Sequence, residues 1–122
     1  PLAADNLIFS ASGYGKGGAL VQLTSTNGQT TAKQVYHTRN MKNHHGGMVL
    51  LKGFLFGFND GGGLTCLELK TGRVAWRNRS VGKGAVVYAD GHIYLRSEGG
   101  RVALVEASTT EYKQKGVFAQ PQ

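Results

Sequence analysis

The chain has 122 residues, with 14 basic and seven acidic side chains and a formal net charge of +7. At 40% hydrophobic and 17% charged its composition is globular rather than disordered, and its length suits one modest domain burying roughly two thirds of its unfolded surface. No apolar run approaches the ~20 residues of a membrane helix. A single cysteine, Cys66, excludes an internal disulfide and any multi-cysteine metal site.

Nineteen glycines stand against two prolines with no collagen period, which points to many short strands joined by tight glycine turns. Nothing at the start resembles a signal peptide. The chain opens on Pro1 without a methionine, and we expect it to be a piece of something longer, so it is silent about the parent's compartment. The basic residues are scattered, the densest group being Arg73, Arg77, Arg79 and Lys83. A solvated surface is the expectation and nucleic acid is not an expected partner, although the field favours anionic polymers or membrane surfaces.

Helical periodicity is nearly absent. Residues 6–10 form a β-rich run closing in the glycine-rich turn 13–18, and 19–23 follow as a strand. Asn27-Gly28 is a turn that favours positive φ, 32–36 is a strand, and 37–45 is a polar connection. Residues 47–51 are a continuous apolar strand, expected to be buried on both faces. Lys52-Gly53 turns into 54–58, and 59–63 turns into a stretch running from Cys66 to Trp76. There Leu67 and Leu69 share one face, Cys66 and Glu68 the other, and Thr71-Gly72 makes a tight turn before the only tryptophan. The order then returns: apolar 85–88, a turn at Asp90-Gly91, strand 92–96, a turn at 98–100, strand 101–107, and a closing segment from 112 to 118.

Setting Gly53 over Gly91, a shift of 38 residues (91 − 53), aligns these two units without a gap: Met48-Val49 over Val86-Val87, Leu55-Phe56 over Ile93-Tyr94, Leu67-Glu68 over Val105-Glu106. The first segment fits more loosely, with Ile8-Phe9 on Leu55-Phe56 and Tyr36 on Trp76. A period of about 40 residues with four strands per unit is the pattern of propeller blades. The expected fold is all-β, about three four-stranded antiparallel blades forming a partial β-propeller. The blades span about residues 1–45, 46–83 and 84–122.

The Cys66–Trp76 stretch resembles the tryptophan-docking motif of quinoprotein propellers, Ala-x-Asp-x-x-Thr-Gly-x-x-x-Trp. Cys66 stands at the alanine place and Glu68 at the aspartate place, while Thr71, Gly72 and Trp76 match outright. The blades resemble the pyrroloquinoline-quinone-like (PQQ-like) repeat family, which includes quinoprotein alcohol dehydrogenases, polyvinyl-alcohol dehydrogenase-like proteins and an outer-membrane-assembly lipoprotein. The full motif occurs once: Tyr36 stands in for tryptophan in the first unit, and Thr109-Thr110 and Gln114 stand at the Thr-Gly and tryptophan places of the third. The resemblance implies that Cys66, Glu68, Thr71, Gly72 and Trp76 are structural, the ring covering apolar area between blades. It implies an exported parent, in the periplasm or at the cell surface. It admits PQQ and calcium in the full-length parent and no cofactor in this piece. Three blades cannot close a ring of the family's seven or eight. Their bare end faces are therefore expected to drive self-association, with a protein or polymer partner as a further candidate.

The candidate ligand site is Asn43, His44 and His45, in the connection leading to an innermost strand. Two histidines could bind a metal or act as acid and base, but consecutive extended residues point apart, and polar loop residues bonding backbone are the plainer reading. The glycine-rich 13–18 segment precedes a strand, whereas a phosphate loop opens a helix. Cys66 reads as a buried, inert thiol. Two functional readings follow. One is a non-catalytic blade scaffold and interaction surface; the other is part of a PQQ-dependent, polyvinyl-alcohol-type dehydrogenase whose site needs the full ring.

Overall fold

The computed structural model describes residues 2–12, 17–43, 47–59, 63–79 and 84–119, and every regular element among them is a strand. Of the expected turns at 13–18 and 59–63, residues 13–16 and 60–62 lie outside the described residues, as do His44 and His45, whereas Gly17 and Gly18 already pair with Ser12 and Ala11, and Asn59 pairs with Gly63, as strand residues. The first sheet holds β1 (Leu2–Ala4), β2 (Leu7–Ser12), β3 (Gly17–Thr26) and β4 (Gln29–Thr38). The second holds β5 (Met48–Leu51), β6 (Phe54–Asn59), β7 (Gly63–Glu68) and β8 (Val74–Asn78). The third holds β9 (Gly84–Ala89), β10 (His92–Ser97), β11 (Arg101–Glu106) and β12 (Gln114–Ala119). Within each sheet, consecutive strands pair antiparallel in chain order. The inner strands β1, β5 and β9 run beside one another, so the sheets stack like the blades of a partial propeller.

The strands read as sheet because β-branched and aromatic residues recur along them and turn chemistry interrupts them. The three inner hairpins turn in the same way: Asp5, Lys52 and Asp90 each lie in the left-handed region, at φ 54, 52 and 51. β1 was not expected; two alanines among three residues carry no strand pattern. The β3–β4 hairpin runs further out than the predicted 19–23 and 32–36 because Thr24, Ser25 and Thr26 continue the ladder against Thr31, Thr30 and Gln29. β5 is half-buried throughout rather than buried on both faces, because it is an edge strand of its sheet.

Alternation decides where the core sits. In the middle blade, Leu55 and Leu67 turn towards the first blade and join Phe9, Leu20 and Met41. Phe56, Cys66 and Trp76 turn towards the third and join Ile93, Leu95, Ala103 and Val105. β6 and β7 are therefore buried on both sides.

All three blades carry a bulge at one matching place, after Leu20, Cys66 and Leu104. Just before it, Leu20 faces Tyr36, Cys66 faces Trp76, and Leu104 faces Gly116. The residue at the third blade's tryptophan place is thus Gly116, not Gln114. The closing pair after the bulge is Leu67 with Val74 in the second blade and Val105 with Gln114 in the third, two residues further apart.

Gly63 opens β7 at φ +81, where a Cβ would run into the Asn78 carbonyl oxygen; Gly116 has nothing within 4 Å of its Cβ direction. Gly63→Ala should cost ~1–3 kcal/mol in denaturant unfolding, whereas Gly116→Ala should stay within about 0.5 kcal/mol of the parent.

Candidate functional site

The motif residues meet at the seams between blades. In the turn after β7, the Gly72 amide donates to the Glu68 carbonyl at 2.9 Å, and the Glu68 amide donates to the Arg73 carbonyl at 2.8 Å. The Thr71 hydroxyl donates to Glu68 Oε1 at 2.5 Å and accepts from the Arg73 amide at 3.2 Å. Arg73 lies 3.8 Å from the other Glu68 carboxylate oxygen. Thr71 and Glu68 therefore brace the turn, a wider one than a two-residue hairpin.

Onto that turn the first blade lays Tyr36. Its hydroxyl donates to the Leu69 carbonyl at 2.6 Å, and a Cβ on Gly72 would sit 2.8 Å from the Tyr36 ring. Gly72 thus meets two demands at once, a φ of +77 and room for a neighbouring ring. The second blade repeats the move on the third: Trp76 Nε1 donates to the Ser108 carbonyl at 2.7 Å. Its ring packs between Phe56, at 6.0 Å, and Tyr112, edge-on at 5.6 Å. Ser108 organises the receiving turn in place of a Thr-Gly pair, its hydroxyl accepting from the amides of Thr110 and Glu111.

Burial sets the titration of these groups. Desolvation pushes the Tyr36 phenol from 10.0 up to about 12 and the Cys66 thiol from 9.0 up to about 12. Tyr112 is also raised by burial, with Arg101 opposing. A thiol held neutral and fully buried is a poor nucleophile.

The other candidate, the 39–47 connection, is pinned to the far end of β6. The Asn43 side-chain amide donates to the Phe58 carbonyl at 3.0 Å and the Gly47 carbonyl at 3.3 Å, and the Lys42 amide donates to Asn59 Oδ1 at 2.6 Å. Asn43 acts here as a peg for backbone. Sequence reasoning missed Arg77, which ties β8 to this connection by donating to Thr65 Oγ1 at 3.1 Å and the Asn40 carbonyl at 3.2 Å. Its place among outer-strand basic residues looked like plain surface.

A groove of about 530 Å³ opens between the first and second blades, lined by apolar Leu7, Leu50 and Phe54 and charged Asp5, Lys52 and Glu68. Its lining residues Asp5, Lys52, Gly53 and Thr71 sit in the turns at one end of the strands, whereas Asn43 bonds Phe58 near the other end of β6, so the two candidate regions do not form one site. Among the described residues, no three His, Cys, Asp or Glu side chains come together as a metal-binding group.

The family of PQQ-type repeats described as outer membrane protein assembly factor BamB matches residues 16–113. Comparison with curated proteins gives no match. Among solved structures, a europium-containing methanol dehydrogenase superimposes with a TM-score of 0.65 at 17% identity. The match covers 98% of this chain and 24% of that one, so the chain spans about a quarter of that enzyme's length. At this identity the likeness is one of fold.

Two measurements check the seams. Trp76→Ala should lower stability by ~3–5 kcal/mol, and Tyr36→Phe, which leaves the Leu69 carbonyl without its donor, by ~1–3 kcal/mol in denaturant titration. Because Tyr36 and Cys66 are raised in the fold, their contribution is fully present below about pH 9 and is lost as pH climbs towards 12. The unfolding midpoint should fall over that window, and less steeply in Tyr36→Phe.

Proposed function

The chain belongs to the PQQ-repeat family described as outer membrane protein assembly factor BamB, and from that premise we propose that it is a non-catalytic part of a larger propeller, providing blade scaffold and interaction surface. Its three blades, about 1–45, 46–83 and 84–122, act as one unit. One observation carries this reading: the polar groups of the repeated motif are engaged in packing. The Trp76 indole, the Tyr36 hydroxyl, and the Glu68 and Thr71 side chains each hold a turn or a neighbouring blade, and Cys66 is sealed in the core. The family description names an assembly factor of the outer membrane, which supports a protein partner and a parent in the periplasm or at the cell surface.

For this stretch of chain by itself, the end faces that adjoining blades would cover in a complete ring supply a contact surface. Val87, Tyr94 and Phe118 on the third blade are 60%, 41% and 61% exposed, and apolar area of that kind favours association. Sedimentation velocity over a concentration series should show the mean mass rising with concentration; a constant monomer mass would overturn the self-association.

A second reading is favoured by the fold match to methanol dehydrogenase: part of a PQQ-dependent, polyvinyl-alcohol-type dehydrogenase whose site requires the complete ring. PQQ and calcium would then be cofactors of the full-length parent. Adding both to that parent and following dye-linked alcohol oxidation separates the two. The scaffold reading expects no turnover, and sustained turnover would replace it with the enzyme reading.

A further inference from the structure

We propose that the groove between the first and second blades binds the carboxyl-terminal end of a partner protein, a free carboxylate carried beside an apolar last side chain. This rests on the reading of the chain as a contact surface and adds where a partner docks and by what chemistry. Both walls of the groove belong to this chain. Adjoining blades in a larger propeller would flank the first and third blades without entering this seam.

The groove joins an apolar floor to an unbalanced charged rim. Leu7, Leu50 and Phe54 line it and are only half-buried. At about 530 Å³ it falls within the ~300–1,000 Å³ of small-ligand pockets. On the rim, Glu68 is already engaged, one carboxylate oxygen by Thr71 and the other by Arg73. Lys52 and Lys70, both exposed, have no carboxylate partner among the described residues. On the third blade, by contrast, Lys113 and Lys115 both reach Glu106.

The repeat itself requires neither lysine. Lys52 holds a left-handed position at φ 52, where Asp and Asn are the favoured side chains. The equivalent inner turns carry Asp5 and Asp90, at φ 54 and 51. Lys70 follows Leu69, whose amide donates to the Gly53 carbonyl; in the third blade Ala107 donates to Gly91 in the same way, and Ser108 follows. The next seam thus sets Asp90 and Ser108 where this one sets Lys52 and Lys70. It also opens β6 with Phe54 where β2 opens with Leu7, and pairs Tyr88 with Ile93 where this seam pairs Leu50 with Leu55. Smaller side chains leave the first seam its space, and two cations mark its edge.

These features select one kind of occupant. The apolar floor takes a hydrocarbon side chain, and the two ammonium groups take a carboxylate. The last residue of a protein carries both on one Cα, whereas the backbone of an internal segment has no carboxylate to offer. The Asp5 carboxylate, also without a partner among the described residues, accepts a peptide N–H, which a fatty acid lacks.

The test titrates acetyl-Ala-Ala-Leu, with its carboxyl end free, into the chain and follows the backbone amide resonances by NMR. Shifts should centre on Leu7, Lys52, Gly53 and Lys70 and saturate at millimolar peptide or below. Amidating the same peptide should weaken binding at least ~10-fold. Lys52→Asp should do the same, and it spares the fold because Asp is the residue of both equivalent turns. Lys70→Ser, again the residue of the equivalent place, should weaken binding ~3-fold. If acid and amide bind equally well, or Lys52→Asp binds like the parent chain, the carboxylate site is overturned. Decanoate binding as tightly as the peptide overturns the peptide end in favour of a lipid-type carboxylate. No shift at these residues with millimolar peptide overturns the groove as a site, while the scaffold reading stands or falls separately on alcohol turnover by the full-length parent.

Discussion

The structure depends on one contact made twice: an aromatic side chain on a blade's outer strand reaches the next blade and donates a hydrogen bond to a carbonyl in its outer turn. Trp76 does so to Ser108, and Tyr36 to Leu69. Each contact joins two effects that would be weaker apart. The ring buries a large apolar area against the neighbouring sheet, and its polar tip satisfies a turn carbonyl that would otherwise face the seam unpaired. The bulges after Leu20 and Cys66 give these contacts their aim, because each sets its ring at the same place in the ladder. Glu68, Thr71 and Gly72 then follow as consequences, two of them bracing the receiving turn and the third leaving room over it.

The repeat was legible because its punctuation is chemical. Lys52-Gly53 and Asp90-Gly91 mark equivalent hairpins, and the apolar pairs around them keep phase over the 38-residue shift. The docking motif was legible for a similar reason, since Thr71-Gly72 and Trp76 have rare requirements of backbone and size. The rest was less visible. β1 is too short and too alanine-rich to show a strand pattern. The third blade's turn is two residues longer, and a bulge has no composition of its own, so the alignment put Gln114 where the fold puts Gly116. Arg77 could not be told from a solvated arginine, because its partners, Thr65 and the Asn40 carbonyl, are brought to it only by the fold. The groove beside Asp5 and Lys52 arises between blades and has no linear signal at all.

Asn43 shows how a polar residue near an inner strand can serve architecture. Asn43 bonds two backbone carbonyls and holds the connection against β6, the same task that Asn59 performs from the other side. Family membership and fold place this chain among PQQ-type propellers, and within it the motif side chains are engaged in packing. The strongest departures from the repeat, Gly116 and the long β3–β4 hairpin, fall on the two outer blades, where no seam between described blades constrains them.

Because Trp76 is the only tryptophan, its indole N–H gives a single resonance that reports on the central contact directly. Hydrogen exchange of that proton, followed by NMR, tests whether the ring is held in the seam. If it is, the indole proton exchanges as slowly as the core amides of β6 and β10 and is released with them in global unfolding. An indole proton that exchanges at the rate of a solvent-exposed tryptophan while those amides stay protected would contradict the account.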